Sequence, residues 1–530
     1  MSPDLIIRGG LVFDGTGAGP VKTDVAVHEG RIARPGAVEV EAAIELDAHG
    51  LAVAPGFIDV HSHSDYTLLV DPRAVSAIHQ GVTTEVIGNC GHGCFPIGDP
   101  ELSSRIIYGF DGSLPLDWST PAAYLERLEE AKPAVNVLTL VPNGQLRLAT
   151  LGLEARPATS GEVAAMTRLL EEGLEAGAWG YSTGLEYAPE QGAGEAEITA
   201  LARVAARRGG FYATHTRERE HHADEAVAEA IRTARNAGVR LQVSHLAPRS
   251  GPDQTNRCIE LVDAARAAGD EVAFDMHTRL YGLTFLYAML PPRMLNASPE
   301  DQATWLRKPD IRAQIGAHKS IITGLGDWGR VYLVDNDIWP DMARMDFEEI
   351  ARRRGTTALD AACDLLLDSV GAEKAPMVLL RAYSEDQQEE VFAHDLCVPA
   401  SDATALAPDG PLAGASFMGA YTWASWFWRF MVRETGRLTP EEAVYRLSGL
   451  PAEIVGLSDR GLLKPGMRAD VVVFDPETFA DAGTTFEPNR IATGMRHVVV
   501  NGVVALLDGT LTGERAGVVL RKGSQACLPR

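Results

Sequence analysis

The sequence predicts an α/β protein built on a (β/α)8 barrel, with a small β-sandwich formed by both chain ends. Through the middle of the chain, short apolar strands alternate with Ala-rich amphipathic helices, a pattern typical of a parallel sheet built from βα units. Eight such strands occur, the number that closes a TIM-like barrel. The predicted strands are 56–60, 83–87, 136–140, 178–182, 211–214, 240–244, 271–275 and 396–401.

Helical patterns fill the intervals between many of these strands. Apolar residues recur there at helical spacing, which favours helices that cover the outside of a barrel. The predicted helices are 121–131, 161–176, 195–208, 224–237 and 256–268. The interval 281–395 is too long for one helical connection, so it predicts an insertion over the barrel mouth that acts as a lid.

The two ends of the chain have a sequence pattern that differs from that of the middle. Short β segments separated by Gly-rich turns occupy the first fifty residues, and similar segments return near the end, for example around 469–476 and 497–504. We therefore expect residues 1–53 and 463–530 to form the two parts of one β-sandwich. The catalytic barrel is predicted to span 54–462.

The charge balance narrows the classes of partner. The 530 residues include 48 Lys plus Arg and 72 Asp plus Glu, a formal net charge of −24. Such a chain has no general electrostatic attraction for nucleic acid or for an anionic membrane, and a small-molecule substrate is expected instead. The first residues lack a basic, apolar leader, so a cytoplasmic location is predicted. The oligomeric state stays open, with a homo-oligomer as one option.

A His-x-His pair follows the first predicted barrel strand. Side chains two residues apart in an extended strand point the same way, so His61 and His63 would face the barrel axis together. Two imidazoles in that position can hold a divalent cation. Alone the pair is also compatible with surface or hydrogen-bonding histidines.

Three further residues with metal-binding side chains follow other predicted strands. Cys90, His215 and His245 come after the strands 83–87, 211–214 and 240–244. The carboxyl ends of barrel strands converge on one rim, so these residues can share one ion, although separately buried polar residues are the alternative. A catalytic zinc takes three nitrogen or sulfur ligands and leaves one position for water. We predict one tight Zn²⁺ here, and a second, weaker site at His61 and His63.

Asp402 follows the last predicted strand and is the candidate proton carrier. A carboxylate beside the metal water can take up a proton during attack and deliver it to the departing amine. An ordinary helix N-cap is the alternative role for an Asp in this position.

Several motifs resemble those of a known family. The segment 54–63 (APGFIDVHSH) resembles the opening signature of the amidohydrolase superfamily of metal-dependent hydrolases. Further segments narrow the resemblance to the D-aminoacylase branch, also called N-acyl-D-amino-acid deacylases. They are GVTTEVIGNCG at 81–91, STGLEY at 182–187, HTRE at 215–218, SH at 244–245 and GMRADV at 466–471.

The resemblance implies a barrel with a composite β-sandwich and a zinc held by a cysteine and two later histidines. By position, these ligands are Cys90, His215 and His245, with His61 and His63 at the weaker site and Asp402 as the catalytic aspartate. Other amidohydrolases bridge two metals with a carboxylated lysine. No lysine occurs between Lys132 and Lys308, which excludes that residue from the middle strands.

Two departures from the branch concern the substrate. Its members usually carry Ser-His-His-Lys at the sixth strand. After the catalytic aspartate they usually carry His-Pro-Arg, followed by a stretch like Gly-Thr-Phe-Pro-Arg. The basic residues of these two motifs are expected to hold the substrate's α-carboxylate. Here the chain reads Ser244-His245-Leu246-Ala247, and DGPLAGASFMGA at 409–420. A carboxylate would then bind poorly unless Arg217, Arg249 or Arg279 replaces those cations.

Tyr187 matches a tyrosine that contacts substrate in the branch. Its hydroxyl could donate to a developing oxyanion, and simple packing in the pocket wall is the alternative. Together with Arg217 and Arg279 it forms the predicted set of substrate-binding residues.

The sequence therefore predicts a zinc-dependent hydrolase of an amide C–N bond, with metal-bound hydroxide as nucleophile and Asp402 as proton shuttle. An alternative in the same fold is hydrolysis of a neutral lactam, imide or ester that lacks a free carboxylate. A noncatalytic, amidohydrolase-like binding or assembly protein is the alternative from another class.

Overall fold

Eight parallel strands form the central sheet of this computed structural model, which describes residues 3–35, 41–295, 297–372 and 375–523. Nearly every residue in them is buried, as expected for parallel strands covered on both faces. The strands confirm the predicted barrel. They are Phe57–Asp59, Val82–Ile87, Asn136–Pro142, Gly180–Gly184, Phe211–His215, Arg240–Val243, Val272–His277 and Cys397–Ala400.

The strands pair in chain order, and the barrel nearly closes between the first and the last. Just beyond these two strands, the amide of Asp402 donates to the carbonyl of His61 at 2.9 Å, and the amide of His63 donates to the carbonyl of Ala403 at 2.8 Å. These two bonds form the barrel seam. They bring the His61–His63 segment beside Asp402.

Helices surround the barrel, and the five predicted ones are present with small shifts at their ends. The longest begins at a capping box in which Thr159 and Glu162 satisfy each other's backbone amides,. The α-helices of this layer are Thr67–Val70, Val75–Ile78, Pro100–Ser104, Pro121–Ala131, Asn143–Leu151, Ser160–Ala176, Glu195–Arg207, Ala223–Ala237, Pro252–Ala267, Glu385–Ala393, Trp423–Trp428, Pro440–Leu447 and Gly449–Val455. Within the described part of the chain, none is both long enough and apolar enough to span a bilayer.

The two chain ends pair in one nine-stranded sheet, as the sequence predicts. The join lies between Ala52–Pro55 and Val471–Phe474, which run antiparallel with Ala54 opposite Val472. The domain limits at 53 and 463 stay predictions. The other strands of this sheet are Leu5–Val12, Val21–His28, Arg31–Pro35, Ile44–Asp47, Met495–Val500, Val503–Leu507 and Thr510–Leu511.

The long interval before the last barrel strand contains a subdomain with its own apolar core. Three antiparallel strands, with Met377–Arg381 in the middle, pack against several helices. Its role as a lid stays a prediction. The two outer strands are Tyr281–Phe285 and Val331–Leu333, and the α-helices are Pro292–Leu295, Pro299–Leu306, Pro309–Ala317, Phe347–Arg354 and Ala358–Asp368.

A buried carboxylate joins the terminal sheet to the barrel. Asp470 forms an ion pair with the buried Arg460 and accepts hydrogen bonds from the amide of Asn501 (2.7 Å) and from Nδ2 of Asn136 (3.2 Å). Asn136 begins the third barrel strand, whereas Asn501 follows a strand of the terminal sheet. Asp470 therefore connects the two layers.

Replacing Asp470 by Ala is expected to lower the free energy of unfolding by about 3 kcal/mol, because the buried Arg460 would keep only the partly exposed Asp459, 3.2 Å from its Nε, as a partner charge,. Urea denaturation would measure the change. The matched control is Asp117→Ala, since Asp117 pairs with Arg127 at a site where both side chains are about half exposed. It should cost less than about 1 kcal/mol. Equal losses in the two variants would contradict a joining role for Asp470.

Candidate metal centre

The carboxyl ends of five barrel strands bring six potential ligands to one place. Each ligand lies at the end of a strand or in the turn that follows, and all six side chains are buried. Their ligand atoms fall into two groups, each with every pair of atoms within 4.8 Å. One group is His61, His63, Cys90 and Asp402, and the other is Cys90, His215 and His245.

Cys90 belongs to both groups and lies between them. Its Sγ is 3.1 Å from Nε2 of His61 and 3.5 Å from Nε2 of His245. On the far side of the first group, Oδ1 of Asp402 is 3.2 Å from Nε2 of His63 and 3.5 Å from Nε2 of His61. A single thiolate can therefore contact ions in two adjacent positions.

Three of these residues have backbones in the left-handed region. The φ angles are 53° for Cys90, 35° for His245 and 45° for Asp402. Such conformations cost a non-glycine residue on the order of 1 to 3 kcal/mol and persist only where the surroundings enforce them. Here they turn the chain sharply as it leaves a strand, which places each side chain within the shared cluster.

The side chains present fit a bound transition metal. The donor set contains imidazole nitrogens, a thiolate sulfur and a carboxylate oxygen, which suits zinc. Nε2 of His215 lies 2.7 Å from Glu186, while its buried Nδ1 has no hydrogen-bond partner among the described residues. A ring fixed by a carboxylate on one nitrogen, with the other nitrogen free, is the usual arrangement of a metal-binding histidine.

Asp275 supports the cluster from beneath. One of its carboxylate oxygens is 3.1 Å from Nδ1 of His61 and accepts the amide of His245 at 2.7 Å. The other oxygen accepts from Gln242 at 3.0 Å. Asp275 thus orients one histidine of each group, a role that the sequence analysis missed even though this residue ends a predicted strand.

Burial and local charge set the protonation of the ligands. Burial lowers the pKa of His215 to about 4, against the opposing effect of Glu186, and burial together with Arg219 lowers the pKa of His245 well below its ordinary value. Burial alone would raise the pKa of Asp402, but Arg279 and the surrounding histidines hold it well below the usual range. The two imidazoles are therefore neutral and Asp402 is ionised at neutral pH.

The predicted substrate-binding residues fall in different places. The ring of Tyr187 lies 4.6 Å from that of His215, beside the cluster. Arg279 forms an ion pair with Asp402 and donates to the carbonyls of Ser401, Asp402 and Met418, so it is a partner of the predicted proton carrier. Arg217 donates to Glu229 at 2.8 Å and to the carbonyls of Gln191 and Ala193, none of which is a ligand candidate.

Tyr108 is a site residue for which the sequence offers no signal. Its ring lies 4.4 Å from the ring of His63 and 4.9 Å from the ring of His92, which in turn packs against Tyr187. Phe417, from the segment that lacks the expected basic residues, packs edge-on against Tyr108 at 5.7 Å. These aromatic rings therefore pack beside the cluster next to His63.

Comparisons with known proteins identify the family. A family model described as amidohydrolase family matches residues 45–305 and 342–506. This chain belongs to the amidohydrolase family. Curated N-acyl-D-glutamate deacylase from Alcaligenes xylosoxydans xylosoxydans is 34% identical over 523 residues, covering 98% of this amidohydrolase and 96% of the relative.

Two solved structures are similar over the whole length. One is N-acyl-D-glutamate deacylase from Bordetella bronchiseptica, complexed with zinc and a phosphonate inhibitor that mimics the tetrahedral intermediate of the reaction. It is 31% identical with a TM-score of 0.79 and covers 98% of this amidohydrolase and 100% of that chain. The other is a D-aminoacylase with a binuclear metal centre, which is 30% identical with the same TM-score and coverage.

Proposed function

We propose that this amidohydrolase hydrolyses the amide C–N bond of an N-acyl amino acid. The observation that carries the proposal is the position of Asp402, whose carboxylate is ionised and lies within 3.5 Å of a ligand of the cluster that contains Cys90. The names of the relatives, an N-acyl-D-glutamate deacylase and a D-aminoacylase, support the same class of bond.

Cys90, His215 and His245 are the residues proposed to hold one Zn²⁺ tightly, and His61 and His63 a second ion weakly. A zinc ion in the first position would polarise the substrate carbonyl and lower the pKa of a water molecule to about 7. The zinc complex of the Bordetella relative supports the choice of metal. The D-aminoacylase, in which one metal activates and a second attenuates, supports the unequal sites.

Asp402 is proposed to accept the proton of the attacking water and to pass it to the departing amine. The carboxylate must be ionised to do so, and Arg279 maintains that state by lowering its pKa,. Arg279 also donates to main-chain carbonyls on both sides of Asp402, which fixes the direction of the carboxylate. Arg279 is thus assigned as a positioning residue in place of a substrate ligand.

Tyr187 is proposed to face the reacting carbonyl. Its ring packs against those of His215 and His92, with centroid distances of 4.6 and 5.0 Å. A phenolic hydroxyl held beside the metal ligands can donate a hydrogen bond to the oxygen that becomes negative during attack.

A neutral lactam, imide or ester is the second candidate substrate class, and one observation favours it. Each arginine that the sequence offers as a carboxylate ligand already has an acidic partner. Arg217 pairs with Glu229, Arg249 with Glu186 and Glu220, and Arg279 with Asp402. The noncatalytic alternative has no such support, because the described ligand set is complete.

Removal of the metal tests the proposal. Dialysis against a chelator should abolish hydrolysis of N-acetyl amino acids, and one equivalent of Zn²⁺ should restore it, because water at neutral pH is a poor nucleophile without the cation. Release of the free amino group, measured against added zinc, gives the stoichiometry. Full hydrolysis by metal-free protein would contradict a metal-dependent mechanism, and zinc-loaded protein inactive on every acid, amide, lactam, imide and ester would favour the noncatalytic alternative.

The cytoplasmic location stays a prediction. Its support is that the five cysteines within the described ranges are all free thiols, which suits a reducing compartment,. The names of the relatives support a small-molecule substrate as the partner of this protein. The option of a homo-oligomer stays open.

A further inference from the structure

A buried carboxyl group lies beside the turn that carries Cys90, and the proposed mechanism does not use it. Glu190 begins the short 3₁₀ turn Glu190–Gly192 after the fourth barrel strand and is 2% exposed. Its Oε2 accepts hydrogen bonds from the amide of Gly184 (3.0 Å) and from Nδ2 of Asn143 (2.9 Å). Gly184 ends the fourth strand and Asn143 directly follows the third, so Glu190 is anchored to two neighbouring strand ends.

The other carboxyl oxygen of Glu190 lies against Gly91. A β-carbon built on Gly91 would be only 1.7 Å from Oε1 of Glu190, so the carboxyl group occupies the space that a side chain at position 91 would need. The amide of Gly91 donates to Oγ of Ser182 at 3.2 Å, and its carbonyl accepts the amide of Gly144 at 3.0 Å. Because Gly91 directly follows Cys90, these contacts fix the backbone on one side of the thiol.

The turn has a backbone conformation that needs support from its surroundings. Cys90 and Gly91 are both in the left-handed region, with φ angles of 53° and 68°. For Cys90 this conformation costs on the order of 1 to 3 kcal/mol and persists only where neighbouring groups enforce it. A β-carbon on Gly184 would be 2.1 Å from the carbonyl oxygen of Cys90, and one on Gly144 would be 2.5 Å from that of Gly91. The turn therefore packs directly on the backbone of the third and fourth strand ends.

Glu190 supports the turn by its shape and hydrogen bonds. Burial raises the pKa of its carboxyl group to about 8, against the opposing effect of the hydrogen bond from Asn143, so the group is mostly protonated at neutral pH. Arg147, a buried arginine on the nearby helix Asn143–Leu151, pairs with Glu197 instead. A glutamine at position 190 would therefore preserve both the size and the charge state of this side chain.

We infer that Glu190 is a positioning residue for Cys90, because it holds the Cys90–Gly91 turn on the third and fourth strand ends and so fixes the direction of the thiol. The inference rests on the metal binding that the proposed function requires. Cys90 belongs to both groups of potential ligands, so a residue that fixes its turn acts on both metal positions. Asp275 and Glu186 contact histidine rings, whereas Glu190 acts through the backbone that carries the thiol.

The zinc affinity of three variants tests the inference. Glu190→Ala leaves a gap beside Gly91 and should weaken zinc binding about 10- to 100-fold, the range for loss of a partner outside the ligand shell. Glu190→Asp keeps a carboxyl group that is one methylene short of Gly91, and it should weaken zinc binding by a smaller factor. Glu190→Gln keeps the reach of the side chain and should bind zinc as tightly as wild-type protein does. Competition with a chromophoric chelator measures each dissociation constant.

Substitution of zinc by cobalt identifies the ligand that is affected. Metal-free protein is loaded with Co²⁺, whose charge-transfer absorption in the near ultraviolet reports a bond to a thiolate. This band should weaken in Glu190→Ala and keep its wild-type intensity in Glu190→Gln. A lowered zinc affinity with an unchanged thiolate band would assign the effect to another ligand and overturn the inference.

Asp470→Ala is the matched control, since it also removes a buried carboxyl group and should lower stability, but its partner Arg460 is not part of the Cys90 turn. Equal zinc affinities of wild-type protein, Glu190→Ala and Glu190→Asp would overturn the inference. A loss in Asp470→Ala as large as that in Glu190→Ala would also overturn it, because zinc affinity would then follow stability alone. If Glu190→Ala does not fold, Glu190→Asp decides by the same two measurements. Neither measurement uses a substrate, so wild-type protein that binds zinc but cleaves no amide would refute the proposed function and leave this inference standing.

Discussion

Replacing Asp402 by Asn is expected to lower kcat by about 1,000-fold or more while the protein keeps its tightly bound metal. Asparagine has almost the same shape but cannot take up the proton of the attacking water, and general base catalysis contributes 10²- to 10⁴-fold. The backbone at this position has a φ of 45°, a conformation that Asn tolerates as well as Asp does,. The substitution therefore adds no backbone strain, and the carboxamide oxygen can still accept a hydrogen bond from Arg279, which pairs with Asp402 in the wild type.

Steady-state kinetics and metal analysis of the Asp402→Asn protein check this result. The group proposed to hold zinc tightly, Cys90, His215 and His245, does not contain Asp402, so one zinc per chain should remain. Asp409→Asn is the matched control, since Asp409 lies in the same loop, is largely exposed and pairs with Arg73. It should keep wild-type kcat. Activity of Asp402→Asn close to wild type would refute its role as proton carrier.

Replacing Cys90 by Ser is expected to remove both metal ions and all hydrolysis. Cys90 is the one ligand common to the two groups of the described residues, so its loss weakens both sites together. Serine keeps the size of the side chain but is a poor ligand for zinc. We expect zinc affinity to fall by more than about 100-fold, the upper range for loss of an outer-shell partner.

Metal content after gel filtration, compared across three variants, measures this effect. His63→Ala should lose only the weaker ion, because His63 belongs to one group. Cys258→Ser should lose neither, since Cys258 is a buried thiol on the helix Pro252–Ala267. A Cys90→Ser protein that binds zinc as tightly as wild type would contradict the proposed shared ligand.

The barrel and the cluster were predictable because both follow from periodic features of the sequence. Alternation of strand and helix places every strand end at one rim, and residues such as Cys90 and His215 come directly after apolar strands. By contrast, the sequence did not predict which charged side chains of the site pair with one another. Whether Arg279 turns toward the substrate or toward Asp402 depends on the path of the loop between strand and insertion, which carries no periodic signal.

Tyr108 illustrates the same limit. Tyr108 comes from a stretch without a barrel strand and reaches His63 only through tertiary packing. Asp275 is different, because a carboxylate at the end of a predicted strand was a visible signal.

The barrel seam has a consequence for how the protein is made. His61 and His63 lie on one side of it and Asp402 on the other, separated by most of the polypeptide. On the ribosome, the proposed tight ligands Cys90, His215 and His245 emerge long before Asp402, the proposed proton carrier. The proposed site is therefore complete only once the final strand docks beside the first.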